Sequence, residues 1–150
     1  MEDQGPISEN IIYKLTEAEK CVRDRLIATF KKEGHDITPE QFTILVALWY
    51  LDGINQNIIA ATVKRDKTTI SRVLDRMVKN GLIVRGKGID DRRERNIYIT
   101  KKGKNVQEQL MDRANAVYSK ALKGVPMDEI ALAGSVLDRI MSNMSEEGND

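Results

Sequence analysis

Apolar positions near the start of the chain recur every three to four residues, at Ile11, Leu15, Ala18, Val22, Leu26 and Phe30. That spacing predicts one long amphipathic helix over about 8–32, stopped by Gly34. Thr38-Pro39-Glu40-Gln41 has the form of a helix start, with Thr38 as N-cap, Pro39 in the first turn and Gln41 placed to complete a capping box. The helix it opens carries Phe42, Leu45, Val46, Leu48 and Trp49, stops near Asp52-Gly53, and is expected to be the most buried one. Asn55 is placed to cap a short helix to about Thr62, with Ile58, Ile59 and Val63 turned inward. Asp66 is placed to cap the next, over 67–80, whose apolar stripe is Ile70, Val73, Leu74, Met77 and Val78. Asn80-Gly81 ends it. Two short helices with about four residues between them have the form of a helix-turn-helix.

The period then changes. Leu82-Ile83-Val84 and Ile97-Tyr98-Ile99 read as two strands joined by a polar hairpin loop over 86–95. Thr100 is placed to cap a helix reaching about Lys123, with Val106, Leu110, Ala114, Val117 and Ala121 on one face. Gly124-Val125-Pro126 breaks it, and a last helix over about 128–144 sets Ile130, Ala133, Leu137, Ile140 and Met144 in a near-heptad stripe. The expected fold is mainly α with a small β-wing: a winged helix-turn-helix lobe flanked by N- and C-terminal helices. No internal repeat or low-complexity linker interrupts the 150 residues.

Apolar residues make up 41% of the chain, enough for a core. The apolar stretches at the two ends are too thin to be stable as lone helices, which hints at oligomerisation. No run of about 18 apolar residues is present, so no membrane span is expected. The start, MEDQGPISEN, is acidic and polar, the opposite of a secretory signal. A single cysteine, Cys21, excludes an intramolecular disulfide and fits a reducing compartment. Cys21 and the one histidine, His35, are too few for a structural zinc site. These features point to the cytoplasm, with no metal and no cofactor.

Charge sharpens the picture. The net charge is only +1, but 64–104 hold fourteen lysines and arginines against five acids, a block of +9 in a remainder of −8. Such asymmetry is the footprint of a nucleic-acid surface, because each neutralised phosphate releases condensed counterions. A solvated basic face without a partner is the alternative, and charge alone does not choose between them.

Subtracting the apolar stripe from the 67–80 helix leaves Lys67, Thr68, Thr69, Ser71, Arg72, Asp75, Arg76 and Lys79. A helix fits the major groove of double-stranded DNA, and residues in its first turns meet base edges. Thr68, Thr69 and Ser71 can reach phosphates or bases at little entropic cost, with capping and surface solubility as the alternative for the threonines. Arg72 is the candidate base reader, since its fork can make two bonds to one guanine. The hairpin offers Arg92, Arg93 and Arg95 to a narrow minor groove. DNA would repel Asp91 unless it were paired, so it is expected to brace a wing arginine or Arg76.

The residues that carry chemistry also carry a resemblance. Thr38-Pro-Glu-Gln-Phe-Thr-Ile-Leu, then Asn55-Gln-Asn-Ile-Ile-Ala, and Lys67-Thr-Thr-Ile-Ser-Arg-Val-Leu-Asp-Arg-Met-Val-Lys-Asn-Gly-Leu-Ile resemble the DNA lobe of the MarR family. Asp91-Arg92-Arg93, with Ile99-Thr100 and Gly103 after it, resembles that family's wing signature. The resemblance is close over 38–103 and extends to the flanking helices by pattern. It implies one subunit over 1–150, with a DNA-binding lobe over 38–103 and dimerisation helices over 6–33 and 104–145. It further implies an obligate homodimer that binds a pseudo-palindromic operator and usually represses. Arg93 would be the minor-groove arginine, supported by Asp91. The turn Val63-Lys64-Arg65-Asp66 departs from the pattern, because the family often has a glycine there, and Lys64 or Arg65 could add a phosphate contact.

Many members of the family sense an anionic aromatic ligand and some sense oxidants through an N-terminal cysteine, so a small ligand and Cys21 are candidates by that resemblance. Lys20 and Arg23 near Cys21 could lower its pKa, yet a lone cysteine is more often a small core filler. His35 reads as a polar loop residue. Tyr13, Trp49 and Tyr118 fit packing better than a ligand cleft. An enzyme is disfavoured, since the chain has no nucleophile–base pair and no phosphate loop beyond Gly86-Lys87-Gly88. The remaining alternatives are a helical protein-interaction module and a non-specific architectural DNA binder.

Overall fold

The computed structural model describes residues 9–87 and 95–146. Its element order is α1 (Ile11–Lys32), α2 (Pro39–Tyr50), β1 (Ile54–Asn55), α3 (Gln56–Val63), α4 (Lys67–Lys79), β2 (Ile83–Lys87), β3 (Arg95–Ile99), α5 (Lys101–Ala121) and α6 (Met127–Glu146). The architecture is mainly helical with a small antiparallel sheet, as the hydrophobic pattern predicts. The chain divides into two compact units, 1–117 and 118–150.

Each helix of the first unit starts and stops for a local reason. Thr38 and Gln41 form the expected capping box: the Thr38 N–H donates to Gln41 Oε1 at 3.0 Å and the Gln41 N–H to Thr38 Oγ1 at 3.2 Å. Asn55 caps α3 through the Asn57 N–H at 2.6 Å. Asp66 caps α4, accepting the Thr69 N–H at 2.8 Å and the Thr69 hydroxyl at 2.6 Å. At the C-terminal ends of α1, α3 and α4 the same paired backbone bonds recur. Gly34 and His35 donate to Lys31 and Phe30, Lys64 and Arg65 to Ala61 and Ala60, and Gly81 and Leu82 to Val78 and Met77. This turn needs one left-handed residue. Gly34 (φ 87°) and Gly81 (φ 73°) supply it cheaply; after α3 it is Lys64, at φ 54°.

The core sits where these elements meet. Phe30 of α1, Ile44, Leu45 and Leu48 of α2, Ile59 of α3, Ile70, Leu74 and Met77 of α4, Ile83, Ile97 and Leu110 have no accessible surface. Phe30 and Phe42 join α1 to α2 with ring centroids 5.1 Å apart, tilted by 52°. Three residues expected inside turn outward: Trp49, Ile58 and Val78 are 40%, 51% and 36% exposed.

The sheet has an unexpected member. Its order is β1-β3-β2, and β1 pairs Ile54 with Ile97 and Asn55 with Asn96. A two-residue strand carries no period-2 signal, which is why the sequence does not reveal it. The hairpin ladder is also longer than expected. Gly86 pairs with Asn96 and Lys87 with Arg95, so these residues continue the strands instead of forming the loop. The Tyr98 ring lies against Gly53, just before β1, and Gly86 of β2: a Cβ on either would lie 2.8 Å from it. Both positions therefore leave the ring its room by lacking a side chain.

The second unit comprises the last turn of α5, the Gly124 turn and α6. No described side chain of α6 is buried, and Leu132, Val136, Leu137, Met141 and Met144 are exposed. These positions give α6 a broad apolar face. Among the described residues, no helix is long and apolar enough to cross a membrane, and no group of three or more His, Cys, Asp or Glu side chains could hold a metal ion.

Candidate nucleic-acid interface

The α4 helix buries Ile70, Leu74 and Met77, and this fixes which side chains face outward. Thr68, Arg72, Asp75 and Lys79 follow one another at three- or four-residue steps along the opposite side. All four are exposed, as are Lys67 and Arg76 beside them, while Ser71 is half-buried at the margin. The structure thus gathers Lys67, Thr68, Ser71, Arg72 and Arg76 on one outward surface of a single helix. Thr69 is exposed too, but its hydroxyl is donated to Asp66, so its first role is the cap. The two bonds from Thr69 hold the Asp66 carboxyl below its ordinary value of 3.8, keeping the cap ionised.

One acid interrupts the row. Asp75 is neutralised from the wing: Arg85 on β2 donates to Asp75 Oδ1 at 2.6 Å. Arg85 is two residues beyond the buried Ile83 and so shares its face of the strand, which directs the side chain at α4. The sequence reading passes over Arg85, although that period-2 relation to Ile83 was a usable signal. Arg95 lies on β3 opposite Lys87, in the ladder and not at the hairpin tip. Asp91, Arg92 and Arg93 lie outside the described residues.

The base of the wing is clamped to the end of α4. The Thr100 N–H donates to Leu82 O at 3.0 Å, the Thr100 hydroxyl to Gly81 O at 2.6 Å, and Lys102 Nζ to Asn80 O at 2.7 Å. Thr100 Oγ1 also accepts the Gly103 N–H at 3.0 Å, capping α5. Gly103 fits so closely that a Cβ there would lie 2.2 Å from Leu82 O. The Asp52 carboxylate accepts the Ile99 N–H at 2.9 Å and fixes the end of β3. Next to this clamp, a surface cleft of about 490 Å³ is lined by His35, Asn80, Leu82, Lys102 and Val106, among others.

A second charged cluster joins α1, α2 and the α3–α4 turn. Arg23 of α1 grips Glu40 of α2 with both terminal guanidinium nitrogens, at 2.9 and 3.1 Å, and Arg65 in the α3–α4 turn approaches the same carboxylate to 3.9 Å. The Arg23 bonds hold the Glu40 carboxyl below its ordinary value of 4.5, and Glu40 raises Arg23 in return. Cys21 is exposed and unbridged, so it is not the small core filler that a lone cysteine more often is.

Comparison with known proteins agrees with this geometry. Residues 37–94 match the model of the MarR family. The HTH-type transcriptional regulator MgrA of Staphylococcus aureus is 27% identical over 147 residues, 97% of each chain. The structure of the transcriptional regulator SlyA superposes with a TM-score of 0.79 at 28% identity, covering 91% of this chain and 95% of that one. The repressor CouR bound to a 23-mer DNA duplex gives a TM-score of 0.79 at 26% identity, over 92% and 96% of the two chains. CouR from Rhodococcus jostii RHA1 has also been solved with p-coumaroyl-CoA, at 22% identity and a TM-score of 0.75, over 90% and 94%. These relatives are transcriptional regulators, and the chain is similar to them over nearly its whole length and to the MarR family over 37–94, with the same winged helix-turn-helix fold.

Proposed function

We propose that the protein is a cytoplasmic repressor that binds a pseudo-palindromic operator as a homodimer. The observation that carries this reading is the outward row Thr68–Arg72–Asp75–Lys79 on α4, with its one acid already neutralised by Arg85. Two such helices, about one helical turn or ~34 Å apart, would enter successive major grooves and block polymerase. Arg72 would read bases; Lys67, Thr68, Ser71 and Arg76 would hold phosphates; Arg92, Arg93 and Arg95 would serve the wing, with Asp91 in support. The apolar surface left open on α6, and Ile11 and Ile12 on α1 at 62% and 52% exposure, support dimerisation through the segments 6–33 and 104–145.

Release by a small aromatic or anionic ligand is part of the same reading, by analogy with the CouR complex. The cleft beside Asn80 is where such a ligand would have most leverage on α4. Exposed Cys21 remains the candidate for an oxidant-sensing variant of that switch.

Selection of bound sequences from a random duplex pool, at near-physiological salt, tests the proposal. An enriched inverted repeat supports a dimeric, sequence-specific regulator. Salt-sensitive binding without enrichment would replace it by a non-specific architectural role, and no DNA binding would leave the helical interaction module.

A further inference from the structure

Glu40 serves two arginines from different parts of the fold, and it serves them unequally. Arg23 occupies both carboxylate oxygens, at 2.9 and 3.1 Å. Arg65 stands 3.9 Å from Oε1, inside ion-pair range but beyond a hydrogen bond. Its side chain keeps 52% of its surface in water, against 25% for Glu40. Arg65 also lies in the turn that leads into α4, between Lys64 and Lys67, both exposed. A phosphate oxygen approaching the start of α4 would therefore meet a guanidinium that is aimed by Glu40 yet not bonded by it. The carboxylate can let go at little cost, because Arg23 already cancels most of its charge.

We propose that Arg65 is a DNA-phosphate contact whose availability is set by Arg23, through the carboxylate of Glu40 that they share. With Arg23 in place, Glu40 is satisfied and Arg65 exchanges it for a phosphate. With Arg23 withdrawn, both Glu40 oxygens open and the carboxylate captures Arg65, removing a cation from the DNA surface. Arg23 belongs to α1, so a displacement of α1 against α2 is read out at the helix-turn-helix turn, with no movement of α4 required. Arg23 and Glu40 are then positioning residues and Arg65 the contact. The inference rests on the reading of α4 as the DNA-facing helix.

The test is a fluorescence-anisotropy titration of the full-length protein against a labelled duplex of random sequence, repeated over a range of salt. Phosphate contacts do not depend on sequence, so no operator is needed. Arg65→Ala is expected to weaken binding roughly fivefold at 0.15 M salt and to lower the slope of log K against log salt by about 0.9. Arg23→Gln is expected to show a similar loss, Arg23→Lys to retain most of the affinity, and Arg23→Gln/Glu40→Gln to recover the slope. Arg23→Gln added to Arg65→Ala should cost nothing more. Melting curves of each variant separate these effects from misfolding. An unchanged slope in Arg65→Ala, or a folded double variant that fails to recover, overturns the proposal. Loss of binding in Arg72→Ala with Arg65→Ala unaffected sinks this inference alone; failure of the wild type to bind any duplex sinks the interface reading with it.

Discussion

Arg85 of β2 holds Asp75 of α4 at 2.6 Å, and Asp75 is the only acid in the exposed α4 row. The bond neutralises a carboxylate that would face DNA phosphates, and it ties the strand to the helix. Arg85→Ala should weaken DNA binding several-fold. Because that variant also loses a cation, Asp75→Asn separates the effects. In the Arg85→Ala background it should restore part of the affinity, and alone it should bind at least as tightly as wild type. Anisotropy titration of the four proteins checks this, and no recovery in the double variant would mean that Asp75 is no liability.

Gly103 predicts a stability effect far from any DNA contact. A methyl group there would press on the Leu82 carbonyl, which is also the acceptor for Thr100. Backbone cannot yield as a side-chain tip does, so Gly103→Ala should destabilise by on the order of 3 kcal/mol. Thermal denaturation reads it directly. A melting temperature equal to wild type would refute the close approach.

Lys64 carries the left-handed turn after α3 at φ 54°, a conformation that costs an ordinary residue about 1 kcal/mol or more. Lys64→Gly should relieve that cost and raise the melting temperature by roughly 3 °C, less the entropy that glycine loses on folding. It should also bind DNA less tightly, since a cation goes with it. If the variant melts lower, the lysine side chain contributes more than its backbone costs.

Glu40 makes stability depend on pH in a definite direction. Its carboxyl titrates below the ordinary 4.5 because Arg23 favours the charged form. A depressed folded value means the contribution is complete above the unfolded value and fades as pH falls through the folded one. Glu40→Gln should therefore be less stable than wild type at pH 7, with the gap closing below about pH 4.5. Urea unfolding at a series of pH values measures the gap, and a constant difference would assign the loss to packing instead of charge.

Most of this architecture is legible in the residues because its determinants are local. Thr38 and Gln41, Asn55, Asp66 and Thr100 each announce a helix start through a bond to an N–H two or three residues away. The exposed side of α4 follows from its strong amphipathic period. What escaped depends on partners distant in the chain. β1 exists only because Ile97 and Asn96 lie alongside it, more than forty residues later. The Arg23–Glu40–Arg65 cluster joins two helices and a turn whose adjacency no spacing reveals. Trp49 and Ile58 have the hydrophobicity of core residues, and only the folded structure shows that both stay on the surface.

Asn55 holds two offices at once: it is paired with Asn96 as the end of β1, and it caps α3. Tyr98, lying against Gly53 and Gly86, fastens the same seam from the sheet side. The hairpin is therefore not an arm attached after the helix-turn-helix; its root is stitched to the residue that starts that motif. A groove that tugs on the wing pulls on the first turn of α3, while the Arg85 bond pulls on α4 from the other strand. Shape at the flank of a site would be felt as strain at its centre, so such a protein could rank DNA sequences by how readily they bend, before any base edge is touched.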